Sequence, residues 1–488
     1  MFSLEDTPYR CYGTIADSPY DEDWKSARMF DPVLDHYRCP SGFFDSEIKG
    51  ERPPRPDFFQ FGNGITCYGR CSNAEVSSSA GRLYLPFDPA EVVDNLRLER
   101  YLGAERDRIG FLRKLYYYVR PFTNLAARRR IQKFHARNWR KTVFPHWPVD
   151  TTVENLCEAL LVLAMQARGV ERVPFIWFWP DGAQAALMMT HDVENASGRD
   201  HCSAVMDLND AYGIKASFQV VPEGRYAVED NFLRSIQNRG FDVEIQDLNH
   251  DGRLYDDREE FLRRADRINR YAKEFGARGF RGAVLYRKPE WYEAFEFSFD
   301  MSMPNVAPMD PQRGGCCTVM PYFIGDLLEL PTTTVQDYTL FNVLNQHSIE
   351  LWKTQMNLIQ SKHGLISFIV HPDYITEQKP RAVYESLLRH IQTSCQQNRV
   401  WCARPSEVDN WWRARSKMTL EKEEGSWRIK GKGAEKARLA YAVSVNGSIV
   451  YEVAQGAGPS PALQRHCSSQ PAICWYYLVT SPQVTSSR

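Results

Sequence analysis

Residues Leu187-Met188-Met189-Thr190-His191-Asp192-Val193-Glu194 are the stretch that decides the fold. An apolar run of strand length ends in three ionisable residues, His191, Asp192 and Glu194. Burying carboxylates inside a strand is costly, so two of them at its end indicate a cleft where they are solvated or hold a ligand. In α/β folds the carboxyl ends of the strands carry the ligand sites. The alternative interpretation is a strand end capped by solvated acids.

The composition is that of a globular protein. The chain has 488 residues, of which 43% are hydrophobic and 25% charged, a length typical of two or three domains. A net charge of −1 predicts no overall attraction to nucleic acid or acidic lipid. The N-terminal segment 1–6 lacks the basic and apolar regions of a secretory signal, and no apolar run reaches the roughly 18 residues of a transmembrane helix. We therefore expect a soluble cytoplasmic protein without a nucleic-acid partner or a transmembrane segment.

Two features carry no functional prediction. The pairs Cys67/Cys71 and Cys316/Cys317 lack the spacing of a zinc or redox motif, so buried free thiols are expected. The stretch 113–141 is helical in pattern, basic and interleaved with aromatic residues. It fits either a surface for an anionic polymer or a solvated helix face, and the near-zero net charge favours the solvated face.

Five regions follow from the changes in composition along the chain. The N-terminal residues are rich in Pro, Asp and Arg, and the C-terminal ones in Ser, Gln and Pro. Asn446-Gly447 between two alternating runs is a strong hairpin signal near the C-terminal end. The predicted regions are an irregular arm (1–56), an N-terminal α+β region (57–170), a main domain (171–416), a small β appendage (417–455) and a disordered tail (456–488).

Strand and helix patterns alternate in the main domain, which predicts a parallel sheet, either open or closed into a barrel. The predicted helices are long and amphipathic. The predicted strands are 185–190, 216–221, 241–248, 279–282, 297–301, 326–330, 365–371 and 400–403.

Polar clusters recur where these strands end. After the first cluster come 244–252, with Gln246 and His250, then Phe280-Arg281-Gly282, and finally 367–373, with His371. Asp300 ends a further strand. Because the carboxyl ends of parallel strands share one edge, these side chains would converge and supply a general base, a metal ligand, a cationic clamp and a general acid.

These clusters, in this order, resemble the polysaccharide deacetylases of carbohydrate esterase family 4, the NodB-like domain. The resemblance covers about 170–415. It implies a distorted (β/α) barrel that binds a divalent metal, commonly zinc, and removes acetyl groups from N-acetylated sugars in polymers.

The resemblance also implies roles for individual residues. Asp192 matches the catalytic base, and Arg281 matches the arginine that orients it. Asp300 matches the acid that supports His371, and His371 matches the general acid. Backbone amides at 281–283 remain available for an oxyanion. The implied metal ligands are Glu194, His250 and the residue at position 246.

Position 246 departs from the family pattern, because Gln246 stands where the first histidine of His-x-x-x-His is expected. A glutamine oxygen is a weaker zinc ligand than imidazole and suits harder cations. A weakened site, a change of metal, or loss of both metal and hydrolysis are all open outcomes.

The predicted function is metal-dependent removal of N-acetyl groups from a polysaccharide or its precursor, in exopolysaccharide biosynthesis. The retained Asp192 and His371 favour an enzyme, because a binding protein does not need an acid and a base. Gln246 favours the alternative, a catalytically impaired relative that binds glycans or regulates.

Overall fold

The computed structural model describes residues 31–103, 137–397, 400–454 and 463–467. Most of the basic stretch 113–141 lies outside these ranges, so its predicted role stays a prediction. Within the described ranges, no helix is both long and apolar enough to cross a membrane.

Among the described residues 31–103, the N-terminal region has two short α-helices and two small sheets. Asp31 and Asp88 cap the helices, each accepting a hydrogen bond from a first-turn backbone N–H. The elements are α1 (Pro32–Tyr37), β1 (Ser46–Ile48), β2 (Asp57–Phe61), β3 (Ile65–Gly69), β4 (Ser77–Ser79), β5 (Arg82–Leu85) and α2 (Pro89–Arg97). The sheet β1-β5-β4 therefore includes a strand of the predicted arm.

The prediction that the whole arm 1–56 is irregular is wrong for α1 and β1. Val33 and Tyr37 of α1 are completely buried, and Tyr37 Oη lies 2.9 Å from Tyr451 Oη near the other end of the chain. The Pro-rich sequence of the arm shows little helical periodicity, because only a few large buried side chains hold this short helix in place.

Two elements lead into the main domain, α3 (Thr152–Ala167) and β6 (Arg172–Ile176). The strands of the main sheet are β7 (Ala185–Val193), β8 (Ala216–Val220), β9 (Asp242–Gln246), β10 (Gly279–Arg281), β11 (Phe299–Asp300), β12 (Tyr322–Ile324), β13 (Leu327–Glu329), β14 (Leu365–Val370) and β15 (Val400–Cys402). The helices are α4 (Ala196–Ala211), α5 (Asp230–Gln237), α6 (Arg258–Phe275), α7 (Glu350–Ser361), α8 (Gln378–Gln396) and α9 (Pro405–Lys417).

The main sheet runs β12-β13-β11-β10-β9-β8-β7-β14, and β15 pairs with the first residues of β7. The pairings are parallel except that of β12 with β13. Helices cross over between most of the parallel strands, as predicted from the alternating pattern.

Side chains close this sheet into a distorted barrel. Thr333 Oγ1 and Thr334 Oγ1, just beyond β13, donate to the carbonyls of Leu365 and Ser367 in β14, at 2.8 and 2.7 Å. The two ends of the curled sheet therefore meet without a regular backbone ladder. The predicted barrel is confirmed, and its distortion lies at this seam.

The C-terminal strands are β16 (Thr419–Glu423), β17 (Ser426–Lys430), β18 (Leu439–Val445), β19 (Ser448–Ala454) and β20 (Leu463–Cys467). The predicted hairpin is confirmed: Asn446 and Gly447 have φ of 50° and 77° and join β18 to β19. β18 and β19 belong to a four-stranded sheet with the order β20-β19-β18-β6.

Two details differ from the predicted C-terminal regions. The appendage continues onto β6, which lies before the barrel in the chain. The tail is not entirely disordered, because residues 463–467 pair with β19 as its edge strand. The composition of the tail hid a strand that forms only because β19 offers it a partner.

Candidate active site

Asp192 lies at the end of β7 and is buried beside Arg281, which ends β10. Arg281 Nη1 donates to Asp192 Oδ1 at 2.5 Å and to Thr190 Oγ1 at 2.9 Å, and its Nε donates to the Met301 carbonyl at 3.2 Å. Arg281 is completely buried and Asp192 is 4% exposed. The guanidinium therefore neutralises the buried charge of the Asp192 carboxylate and fixes its orientation. This leaves Asp192 Oδ2 directed at the rest of the site.

His371 follows β14 and is held by a carboxylate that the sequence did not reveal. Its Nδ1 lies 2.7 Å from Asp337 Oδ1, and its backbone N–H donates to Asp337 Oδ2 at 2.8 Å. Since Asp337 is a hydrogen-bond acceptor, His371 Nδ1 carries the proton, and Nε2 is directed at the cleft. Burial favours neutral imidazole, but Asp337 raises the pKa of His371 well above its usual value.

The predicted pairing of Asp300 with His371 is wrong. Asp300 instead accepts hydrogen bonds from Ser302, through its backbone N–H at 3.0 Å and its hydroxyl at 2.8 Å. Ser302 Oγ in turn accepts from the Gly282 N–H at 2.8 Å. The short strand β11 directs Asp300 beneath the Arg281 loop, so it supports that loop and not the histidine.

The backbone N–H of Gly282 is less available to bind an oxyanion than predicted. Its N–H already bonds Ser302, so this amide is not offered to an oxyanion. A Cβ at this position would lie 2.2 Å from the Tyr286 carbonyl oxygen, which only glycine tolerates. The chain after Arg281 thus folds back tightly on itself.

Glu194 lies between the two histidines of the site. Its Oε1 is 2.8 Å from His250 Nε2 and 3.5 Å from His371 Nε2. Its side chain is 24% exposed, so one side of it remains open to solvent. Burial opposes ionisation of Glu194, yet the two histidines hold the pKa of this carboxyl well below its usual range.

Gln246 ends β9 and presents its amide nitrogen, not its oxygen, to the carboxylates. Nε2 donates to Asp192 Oδ2 at 3.0 Å and lies 3.5 Å from Glu194 Oε1. Oε1 is buried and has no hydrogen-bond partner among the described residues. The orientation follows from charge, because only the amide N–H groups are attracted to two carboxylates.

The barrel that carries this site is similar to that of polysaccharide deacetylases. It matches a protein from Mycobacterium smegmatis assigned to that class with 18% identity and a TM-score of 0.39, over 51% of this chain and 98% of that one. The Puue allantoinase matches with 13% identity and a TM-score of 0.38, over 48% and 92%. A family 4 acetyl xylan esterase from Clostridium thermocellum, solved with a cobalt ion, matches with 13% identity and a TM-score of 0.29, over 46% and 91%.

No family model and no curated protein sequence matches this chain. The likeness to the solved structures, all under 20% identical, concerns the fold alone.

Three of the residues fit a divalent metal. One ligand atom each from Asp192, Glu194 and His371 lies within 4.8 Å of the others, and two carboxylates with one imidazole suit such a cation. The bond from His371 Nδ1 to Asp337 is the kind of outer contact that orients a metal-binding imidazole. Gln246 and His250, the other predicted ligands, reach the site, but Gln246 does so through an amide nitrogen that cannot bind a metal.

His191, although part of the opening stretch, lies outside the site. Successive side chains of a strand point to opposite faces, so His191 faces the helices while Thr190 and Asp192 face the barrel interior. Its Nδ1 bonds the Val370 carbonyl at 3.1 Å and its Nε2 bonds Asn209 Nδ2 at 2.8 Å. Burial lowers the pKa of His191 to about 3, so it is a neutral structural residue.

Sequence reasoning missed four residues at the cleft. Asp337 follows the polar run 332–336 after a predicted strand, and its position beyond a strand end was an available signal. Tyr374 lies beside the His371 ring, with centroids 4.7 Å apart, and Tyr338 lies 5.9 Å from Tyr374. Arg225, in the loop after β8, contacts His250 at 3.0 Å. No spacing rule pointed to the tyrosines or to Arg225.

Proposed function

We propose that this protein hydrolyses the N-acetyl groups of sugars in a polysaccharide or its precursor. The observation that carries the proposal is the pairing of a buried Asp192–Arg281 couple with a buried His371–Asp337 couple at one cleft. Amide hydrolysis needs a base to take a proton from water and an acid to protonate the leaving amine. The two couples are suited to these opposite roles.

The base is Asp192. Arg281 binds its Oδ1, which leaves Oδ2 to accept a proton from a water molecule in the cleft. The neighbouring amide of Gln246 keeps that oxygen directed inward.

The acid is His371. Asp337 fixes its Nδ1–H tautomer and stabilises the imidazolium, so Nε2 carries the proton for the leaving amine. The same arrangement of carboxylate and imidazole orients the histidine in other acid–base sites.

A cation at the group formed by Asp192, Glu194 and His371 would be held by the Glu194 carboxylate, which leaves Asp192 Oδ2 and His371 Nε2 free for the proton transfers. It would polarise the amide carbonyl and make a bound water more acidic. Zinc is the metal suggested by the resemblance. The two carboxylates would equally suit a harder cation.

A glycan is supported by the cleft wall as well as by the resemblance. Tyr374 places a half-buried ring beside His371, and the half-buried ring of Tyr338 lies next to that of Tyr374. Aromatic faces of this kind pack against the apolar faces of other rings while their hydroxyls stay hydrated. A role in exopolysaccharide biosynthesis, in the cytoplasm, is part of the same proposal.

The test is release of acetate from N-acetylated oligosaccharides by the full chain, alone and with added Zn²⁺, Co²⁺ or Mn²⁺. We expect turnover that is lost in Asp192→Asn and in His371→Gln. Asp200→Asn, an exposed acid on α4, serves as the control and should retain it. Absence of acetate release with every cation would contradict the proposal.

The second candidate is a glycan-binding protein without turnover. It is favoured by Gln246, whose amide hydrogen-bonds the Asp192 and Glu194 carboxylates at the position where a metal-binding imidazole is expected. Calorimetric binding of the same oligosaccharides without acetate release would identify this case.

A further inference from the structure

Tyr226 places its hydroxyl between the ends of β7 and β8. Its Oη donates to the Val193 carbonyl at 2.7 Å and accepts from the Val221 N–H at 3.0 Å. A carbonyl can only accept and a backbone N–H can only donate, so these two partners fix the direction of the hydroxyl proton. The hydroxyl therefore bridges the two strands.

The two backbone groups that it joins are the pair that would otherwise bond each other. Val193 lies opposite Val220 in the last registered pair of β7 and β8. In a parallel ladder the slanted bonds run from a carbonyl to the N–H that follows its opposite residue, so the Val193 carbonyl would accept from the Val221 N–H. That N–H donates to Tyr226 instead. One hydroxyl thus opens the ladder at the residue that separates the proposed base from the proposed metal carboxylate.

The opened ladder bears directly on Glu194. The Val193 carbonyl belongs to the planar peptide group that joins Val193 to Glu194, so the bond from Tyr226 sets the plane from which Glu194 leaves the strand. The next residue is held as well, because Asn195 caps α4 and donates to Asp373 Oδ2 at 2.8 Å. Glu194 therefore extends from backbone that is fixed on both sides.

The loop after β8 holds the ring in place. Gly224, with φ of 76°, turns the chain two residues before Tyr226. The Glu223 N–H donates to the Leu248 carbonyl at 3.0 Å, which ties the loop to the chain after β9. Arg199 of α4 lies over the ring, with its Cζ 6.0 Å from the ring centroid. The loop and α4 together fix the ring, so the fold determines where the hydroxyl lies.

We propose that Tyr226 is a positioning residue whose hydroxyl holds β7 and β8 apart beyond Asp192 and thereby directs the Glu194 carboxylate to the place of the cation. The inference rests on the proposed function, in which Glu194 holds the metal. If Tyr226 anchored only its own loop, removal of the hydroxyl would leave Glu194 in place.

The first test compares crystal structures of the native full chain and of Tyr226→Phe, both grown without added metal. In the native protein the phenol oxygen should lie between the Val193 carbonyl and the Val221 N–H. In the variant we expect these two groups to close into a direct hydrogen bond and the Glu194 carboxylate to leave its native position, while Asp192 stays in place. A native ring turned away from both groups, or an unmoved Glu194 in the variant, would overturn the proposal.

The second test is calorimetric titration of the same proteins with Zn²⁺. Tyr226→Phe should bind about tenfold more weakly, a loss typical of removing a group that orients a metal-binding side chain. Tyr101→Phe is the matched control, because Tyr101 Oη donates to the Gly315 carbonyl at 2.7 Å, a bond of the same kind that does not involve β7 or β8. This control should bind zinc as the native protein does.

Equal zinc affinity in Tyr226→Phe and in the native protein would also overturn the proposal. If the native protein binds no Zn²⁺, the proposed metal site fails, while the two crystal structures still decide whether the Tyr226 hydroxyl sets the position of Glu194.

Discussion

Gln246 Nε2 donates to Asp192 Oδ2 at 3.0 Å, so the residue that replaces an expected metal-binding histidine serves the proposed base as a hydrogen-bond donor. The same nitrogen lies 3.5 Å from Glu194 Oε1. Two carboxylates that a cation would otherwise hold together are bridged here by a neutral amide.

Gln246→His should strengthen zinc binding by about tenfold or more, because it removes the bridging amide and adds an imidazole ligand. The measurement is calorimetric titration, supported by elemental analysis of protein purified without chelator. Gln246→Met is the matched control, since it removes the amide without adding a strong ligand. Equal zinc affinity in the native protein and Gln246→His would show that Gln246 does not weaken the site.

Asp337→Asn should lower the rate of acetate release by about 10²–10⁴-fold, the range associated with a lost general acid. The neutral amide of the variant side chain lacks the negative charge that faces the His371 Nδ1–H in the native protein. It therefore does not stabilise the imidazolium. Asp300→Asn is the comparison, and we expect a much smaller loss because Asp300 contacts Ser302 and not His371. A larger effect at Asp300 would restore its predicted role.

Arg281→Met should destabilise the fold by about 3–5 kcal/mol, because it leaves the Asp192 carboxylate buried without its partner. The free energy of unfolding in urea measures this. The exposed pair Arg234–Asp230 offers the control: Arg234→Met should change stability by less than about 1 kcal/mol. The double variant Asp192→Asn/Arg281→Met should recover part of the loss, and further destabilisation would argue against an uncompensated charge.

Glu244 predicts a pH dependence of stability away from the cleft. It is buried on β9 and accepts the backbone N–H groups of Arg278 and Gly279 at 2.7 and 2.5 Å. Burial raises its pKa to about 8 from the ordinary 4.5. The folded chain therefore binds the proton more tightly than the unfolded one, and this contribution to stability is lost as the pH rises from about 4.5 to about 8.

Glu244→Gln should flatten that slope while keeping an oxygen to accept the two backbone hydrogen bonds. Urea unfolding at several pH values between 5 and 8.5 is the measurement. Glu259→Gln, an exposed glutamate on α6, is the control and should keep the native slope. An unchanged slope in Glu244→Gln would mean that the carboxyl is ionised throughout this range.

The alternating pattern of the main domain was enough to predict most of the barrel from the sequence. Strands such as β7 and β14 are buried along their whole length, so they appear as apolar runs that end in polar residues. The arm and the tail were harder, because α1 and β20 depend on partners distant in the chain and leave little periodicity of their own.

The sequence by itself determined that Asp192, Glu194, Gln246, Arg281 and His371 meet at one edge, because parallel strands bring their carboxyl ends together. Tertiary structure alone decided which atoms face each other: Asp337 and not Asp300 behind His371, the nitrogen and not the oxygen of Gln246 toward the carboxylates, and Arg225 against His250. The reason is that hydrogen-bond partners are set by the path of the loops and by the direction of each side chain, and neither is encoded in the spacing of residues along a strand.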